Sequence, residues 1–131
     1  MVRIARCGHG AVAASALLLA ATGPALGHHS FAVYDFTQQI PFEGVVATLS
    51  FRNPHISLTL THALANGSTE TIQFAEGAPA NMNVRNGLLP EMIKPGTKIT
   101  AVGSPRKDDP HVFFLRRVVL EDGREFSSTS N

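Results

Sequence analysis

Residues 42–61 read FEGVVATLSFRNPHISLTLT, a strand, a corner and a second strand, and the fold of the whole chain turns on this stretch. Both arms alternate with period two, the pattern of half-buried strands. On the first arm Val45, Ala47, Leu49 and Phe51 share one face, while Val46, Thr48, Ser50 and Arg52 share the other. On the second, Ile56, Leu58 and Leu60 face one way and His55, Ser57, Thr59 and Thr61 the other. Between them Pro54 removes a ladder donor and pushes Asn53 out of the helical region, so the chain is expected to turn at Asn53-Pro54-His55.

Downstream, Asn66-Gly67 is the dipeptide that tight hairpins favour, because both positions tolerate positive φ. A third strand follows over Glu70 to Ala75, with Ile72 and Phe74 on one face and Thr71 and Gln73 on the other. Pro79 suits a first helical position and Gly87 a stop, so one short helix is expected between them. Pro90 offers a second short turn, and Lys94-Pro95-Gly96-Thr97 has the pattern of a type II turn. Lys98 to Gly103 and Val112 to Leu120 read as the fourth and fifth strands. Asp122-Gly123 marks a last turn into Arg124-Glu125-Phe126. The near-continuous apolar run from Val112 implies burial on both faces at one end of that strand.

Three strands, a short helix and two or three more strands is the order of a five- to six-stranded OB-like Greek-key barrel, all-β apart from that helix. A β-sandwich would need about seven strands. The barrel is expected over residues 42–126, with a disordered tail at 127–131.

Upstream, Arg3 and Arg6 precede an apolar run from Ala11 to Ala21, and Pro24-Ala25-Leu26-Gly27 supplies small residues at a cleavage-like spacing. That is the layout of a cleavable signal peptide over residues 1–27, and the run is shorter than the roughly 20 residues a membrane span requires. Cutting after Gly27 makes His28 the new amino terminus; cutting after Ala25 leaves Leu26-Gly27-His28. Either cut removes Cys7, the only cysteine, so no disulfide is expected. The product is expected to be periplasmic or secreted, without a membrane span, and to open with an arm over residues 28–41 that lays Phe31, Val33 and Phe36 on the barrel.

The 131-residue chain has 11 Lys plus Arg against 10 Asp plus Glu and no basic stripe, which argues against nucleic acid as a partner. Enzyme readings find little to stand on. After the signal there is no cysteine, the serines lack a neighbouring base, and Asp108-Asp109 are adjacent rather than facing. There is no phosphate-binding glycine loop. Copper redox chemistry is the one catalytic option that survives.

Barrels of this type bind through strands two and three and the loops joining strands one to two and four to five. The first loop holds Asn53, Pro54 and His55, and the second holds Arg106 and His111, so a rim of Asn53, Pro54, His55 and Arg106 is expected, with the arm folding towards it. Imidazoles with an amine suit Cu(II). After one cut the α-amine and ring Nδ1 of His28 with a second imidazole such as His55 would form a T-shaped nitrogen set, with His29 a further candidate ligand; after the other, the amine, two amides and the third-position imidazole would make a square-planar site. The plainer reading of His55 is that its ring donates to a neighbouring carbonyl and holds the corner. His62 reads as a strand-end residue and His111 as a solvated loop residue.

His28-His29-Ser30-Phe31, Gly44-Val45-Val46, Asn53-Pro54-His55, Lys94-Pro95-Gly96, Gly103 and Asp122-Gly123-Arg124 follow one another in an order that resembles a family of small exported bacterial proteins of unknown function. The resemblance covers nearly all of the chain after the signal. It implies export, one small β-rich domain and no assigned activity, and it maps onto His28, His29, Asn53, Pro54 and His55. The functional expectation is a non-catalytic binding module for a small ligand. The alternatives are a copper-binding protein and an interaction subunit of an envelope complex.

Overall fold

The computed structural model describes residues 31–129. A 3₁₀ turn at Phe31–Val33 leads into β1 (Ile40–Ser50), β2 (Ser57–Ala63) and β3 (Thr69–Glu76). Helix α1 (Ala80–Arg85) and a 3₁₀ turn at Pro90–Ile93 follow, then β4 (Lys98–Pro105), β5 (Val112–Leu120) and β6 (Glu125–Ser127). Strands β1, β2 and β3 form an antiparallel meander, β4 pairs β1, and β5 pairs β4. A parallel pairing of β3 with β5 shuts the ring, giving the expected closed five-stranded barrel of OB type, and β6 extends β5 as a sixth strand. The signal segment expected at 1–27, and His28 and His29, lie outside the described residues.

The second arm of the opening stretch folds as its pattern requires: Ile56, Leu58 and Leu60 are buried. The first arm needs a correction. Val46 is buried while Val45 is 42% exposed. Val46 pairs with Leu60 and Thr48 with Thr59, so Ala47 is an extra residue, a β-bulge. Because strand faces alternate strictly, one inserted residue exchanges them: Val46 points inward before it, and Leu49 and Phe51 pack on the core after it. The strand also starts earlier than expected, with Ile40 and Pro41 paired to Gly103 and Val102.

A second bulge shapes β5. Val102 opposes Arg117 and Gly103 opposes Leu115, which leaves Arg116 unpaired in the ladder. Phe113 and Leu115 point inward before it and Val118 after it, all three buried. Phe114 and Arg116 consequently share the outer face. The core joins these residues to Val46, Leu58, Leu60, Ile72, Phe74 and Ile99, with Leu88 and Ile93 supplied from the segment around α1 and the second 3₁₀ turn.

The arm lays Phe31 and Phe36 on Phe114 as expected, while the far end of the described residues departs from expectation. The arm is a 3₁₀ turn followed by a bridge from Tyr34 to Arg106, because Asp35 N–H donates to the Pro105 carbonyl at 2.8 Å and Lys107 N–H to that of Val33 at 2.9 Å. The expected disorder from residue 127 is not found at 127–129. Ser127 belongs to β6, and Ser128 is fully buried, its N–H donating to the Arg116 carbonyl at 2.9 Å and its own carbonyl accepting from Ala78 N–H at 3.0 Å. The carbonyl at the bulge needs a donor, and Ser128 supplies it. Among the described residues no helix is long and apolar enough to cross a membrane.

Candidate functional site

The corner Asn53-Pro54-His55 is docked on the entry to α1. Its Asn53-Pro54 peptide bond is cis. Asn81 N–H donates to Asn53 Oδ1 at 3.4 Å, and Ile56 N–H donates to the Ala78 carbonyl at 3.2 Å. His55 Nδ1 lies 2.9 Å from the Gly77 carbonyl oxygen. A carbonyl only accepts, so Nδ1 carries the hydrogen, and the neutral ring keeps its lone pair on Nε2. The structural role expected of His55 is thus present, and it leaves half of the imidazole unused.

That ring lines a cleft of about 450 Å³ together with Phe31, Phe36, Gly77, Met82, Phe114, Arg116 and Ser128. The volume lies within the roughly 300–1,000 Å³ of small-molecule pockets. Each wall has a local cause. Gly77 follows β3, and there is no room for more: a Cβ on it would stand 2.9 Å from Ser128 Oγ and 3.1 Å from Ile56 Cγ1. Strand alternation on β5 turns Arg116 to the same face as Phe114. The arm forms the outer wall, with the Phe31 ring 6.4 Å from that of His55 at 87° and 5.7 Å from that of Phe114. Phe31 is half exposed, as is suitable for a wall that meets solvent.

Tyr34 anchors the arm. It is 4% exposed and sits edge-on to Phe114 at 5.6 Å. Burial, with a further contribution from the charge of Glu76, raises its pKa above the ordinary 10.0. Asp35 ties the next turn: Thr37 N–H and Oγ1 donate to its Oδ1 at 3.1 and 2.6 Å, and Gln38 Nε2 donates to Oδ2 at 2.6 Å. These hydrogen bonds, Thr37's first, hold its pKa below 3.8. A carboxylate whose pKa is depressed by folding stabilises the fold above its unfolded value and loses that contribution as pH falls through the folded one. The amides of residues 34–38 should therefore lose exchange protection in acid before the barrel does, and Asp35→Asn should remove that pH dependence. An NMR titration placing Asp35 at or above 3.8 would contradict this.

The structure does not bring Arg106 or His111 to this cleft. Val112 pairs with Gln73, so the loop before β5 lies partway along β3 rather than at its end. His111 is 3.6 Å from Glu70, whereas His55 contacts Gly77, roughly 20 Å further at about 3.3 Å per residue. Arg106 is held by Asp108, Nε to Oδ1 at 2.7 Å and Nη2 to Oδ2 at 3.2 Å, and lines a separate concavity with Asp35, Lys107 and Phe113. His62 caps a strand end as expected, Nδ1 donating to the Glu43 carbonyl at 2.7 Å with the ring perpendicular to Phe42. Residues that the sequence reading missed are Met82, Phe114, Arg116 and Ser128. Arg116 had a signal, an arginine two positions from a phenylalanine in an otherwise apolar strand.

A model of a family of unknown function (DUF6152) matches residues 14–124. No curated protein and no solved structure matches the chain.

Proposed function

We propose a function from the cleft itself, because the chain belongs to this family of unknown function and inherits no activity from it. The protein is an exported, non-catalytic binding module whose small ligand sits between the Asn53-Pro54-His55 corner and the amino-terminal arm. One observation carries the reading. His55 has one ring nitrogen fixed on the Gly77 carbonyl, and the ring lines a cleft whose other walls are mostly apolar. A few fixed polar groups set among apolar walls are what a small-molecule site needs. Export rests on the layout of residues 1–27.

Two variants test it. His55→Ala loses one hydrogen bond, a cost of about 1 kcal/mol, and should fold. A chain beginning at Tyr34 keeps the anchor and loses Phe31. Both should abolish the NMR shifts that a fragment mixture of acids, amides and amines induces at Gly77 and Phe114. Unfolding of His55→Ala, or unchanged shifts in both variants, would refute a binding role for the rim.

Copper is a second reading, supported by the same geometry. Histidines that ligate metals generally donate their other ring N–H to a carbonyl or carboxylate, as Nδ1 of His55 does. His28 precedes Phe31 by three residues, about 10 Å of chain at most, and Phe31 already touches the His55 cleft. Among the described residues no three His, Cys, Asp or Glu side chains cluster as a metal site, so His28 or His29 would have to contribute. The amine and ring of His28 with Nε2 of His55 would hold Cu(II), which would supply redox chemistry when bound. Calorimetry with Cu(II) on protein with its authentic terminus should show tighter binding than a Met-extended form; equal, weak binding by both would dispose of the site.

A further inference from the structure

We infer that the ligand of this cleft is a small monocarboxylate with an aromatic or branched aliphatic body, an inference that rests on the cleft being a binding site. The argument is one of charge placement. Two other concavities carry charges of both signs. One sets Lys98 against Glu43 and Glu121, and another sets Arg106 and Lys107 against Asp35 and Asp108. The His55 cleft is different. Among the described residues its lining contains Arg116, His55, Ser128 and Thr129, and no acid. Glu76, next to Gly77 in sequence and paired with Phe114 of β5, is not part of that lining; its charge bears on Tyr34.

The other arginines around β4, β5 and β6 have carboxylates: Arg106 with Asp108, Arg117 with Glu125 and Arg124 with Asp122. Arg116 pairs with no carboxylate among the described residues. Its guanidinium lies instead over the Phe36 ring, 5.3 Å from the centroid. Stacking on a ring covers a face of the guanidinium and leaves its N–H donors in a planar fork, the arrangement that a carboxylate accepts bidentately. The body of such a ligand would lie against Phe31, Phe114 and Met82, the apolar part of the same lining. His55, in the same lining, would accept from a ligand hydroxyl through Nε2.

Phenylacetate, its neutral isostere phenylacetamide and the cation phenethylamine separate these contributions when titrated into isotopically labelled full-length protein. Phenylacetate should shift the amides of Phe31, Gly77, Arg116 and Ser128 and bind about tenfold or more tightly than phenylacetamide, the usual margin for a charge-assisted hydrogen bond. Phenethylamine should bind least. Arg116→Gln should erase the preference for acid over amide, and Arg116→Lys should keep part of it. Thermal melts of both variants establish that the fold is retained. Amide or amine binding as tight as the acid, or an acid preference that persists in Arg116→Gln, overturns the carboxylate assignment and leaves the cleft a binding site. If none of the three probes shifts a cleft amide, both the assignment and the binding reading fall.

Discussion

Replacing Phe74 with Ala should lower the unfolding free energy by about 3 to 5 kcal/mol, the usual cost of deleting a fully buried aromatic ring. Phe74 has no exposed surface and touches the rings of Phe113 and Phe42, with centroids 5.8 and 6.4 Å away. Its far edge fills space that a glycine leaves open: a Cβ built on Gly103 would stand 2.7 Å from Phe74 Cε1. Because Phe74 lies on β3 opposite Phe113 of β5, the cavity would open at the pairing that closes the ring. Domains of this size are stable by about 5 to 15 kcal/mol in all, so Phe74→Ala should sit near the limit of folding. Urea denaturation of both proteins measures the difference. A loss below about 1 kcal/mol would show that the barrel does not depend on this ring.

Phe114→Ala should cost nearly as much, about 3 kcal/mol, and in a different way. Phe114 is on the outer face of β5 and yet only 8% exposed, since Phe31, Tyr34 and Phe36 surround it with centroids 5.7, 5.6 and 5.3 Å away. Each such ring pair contributes about 0.5 to 1.5 kcal/mol beyond the area it covers. Without the central ring the arm keeps its backbone bonds to Pro105 and Lys107 but loses its seat. Hydrogen exchange should then accelerate at residues 31–36 while the amides of β1 to β4 stay protected, and binding in the cleft should vanish with its wall. Unchanged exchange in the arm would mean that the backbone bonds alone hold it.

What could be read from the sequence follows from the range of the forces involved. The turn dipeptides, the helix between Pro79 and Gly87 and the span Val112–Leu120 are local matters of φ preference and periodicity, and they emerge where expected. The strand order follows from the same list of elements. The two bulges do not, because a bulge is a mismatch between partner strands and one strand's pattern cannot show it. Ala47 therefore exchanged the assigned faces of β1, and Arg116 went unnoticed as a wall of the cleft. The corner and the arm were legible as a meeting place, since Phe31 does reach the ring of His55. Arg106 was placed on the same rim by analogy with the loops of other barrels, but the offset of β5 along β3 carries it elsewhere. Ser128 could not have been found, as a serine in a polar tail gives no sign that it satisfies the Arg116 carbonyl while accepting from Ala78, fifty residues before it.

The parallel pairing of β3 with β5 has a bearing on time as well as shape. It joins Gln73 and Phe74 to Val112 and Phe113 across an intervening stretch that includes a helix and a strand, and the entropy of closing that long loop is spent before any contact repays it. Gly77 stands just beyond one partner and Phe114 and Arg116 on the other, so the cavity they share exists only once that pairing is made. A chain caught halfway, with its meander formed and its ring still open, would have a core in the making and nowhere to receive a guest.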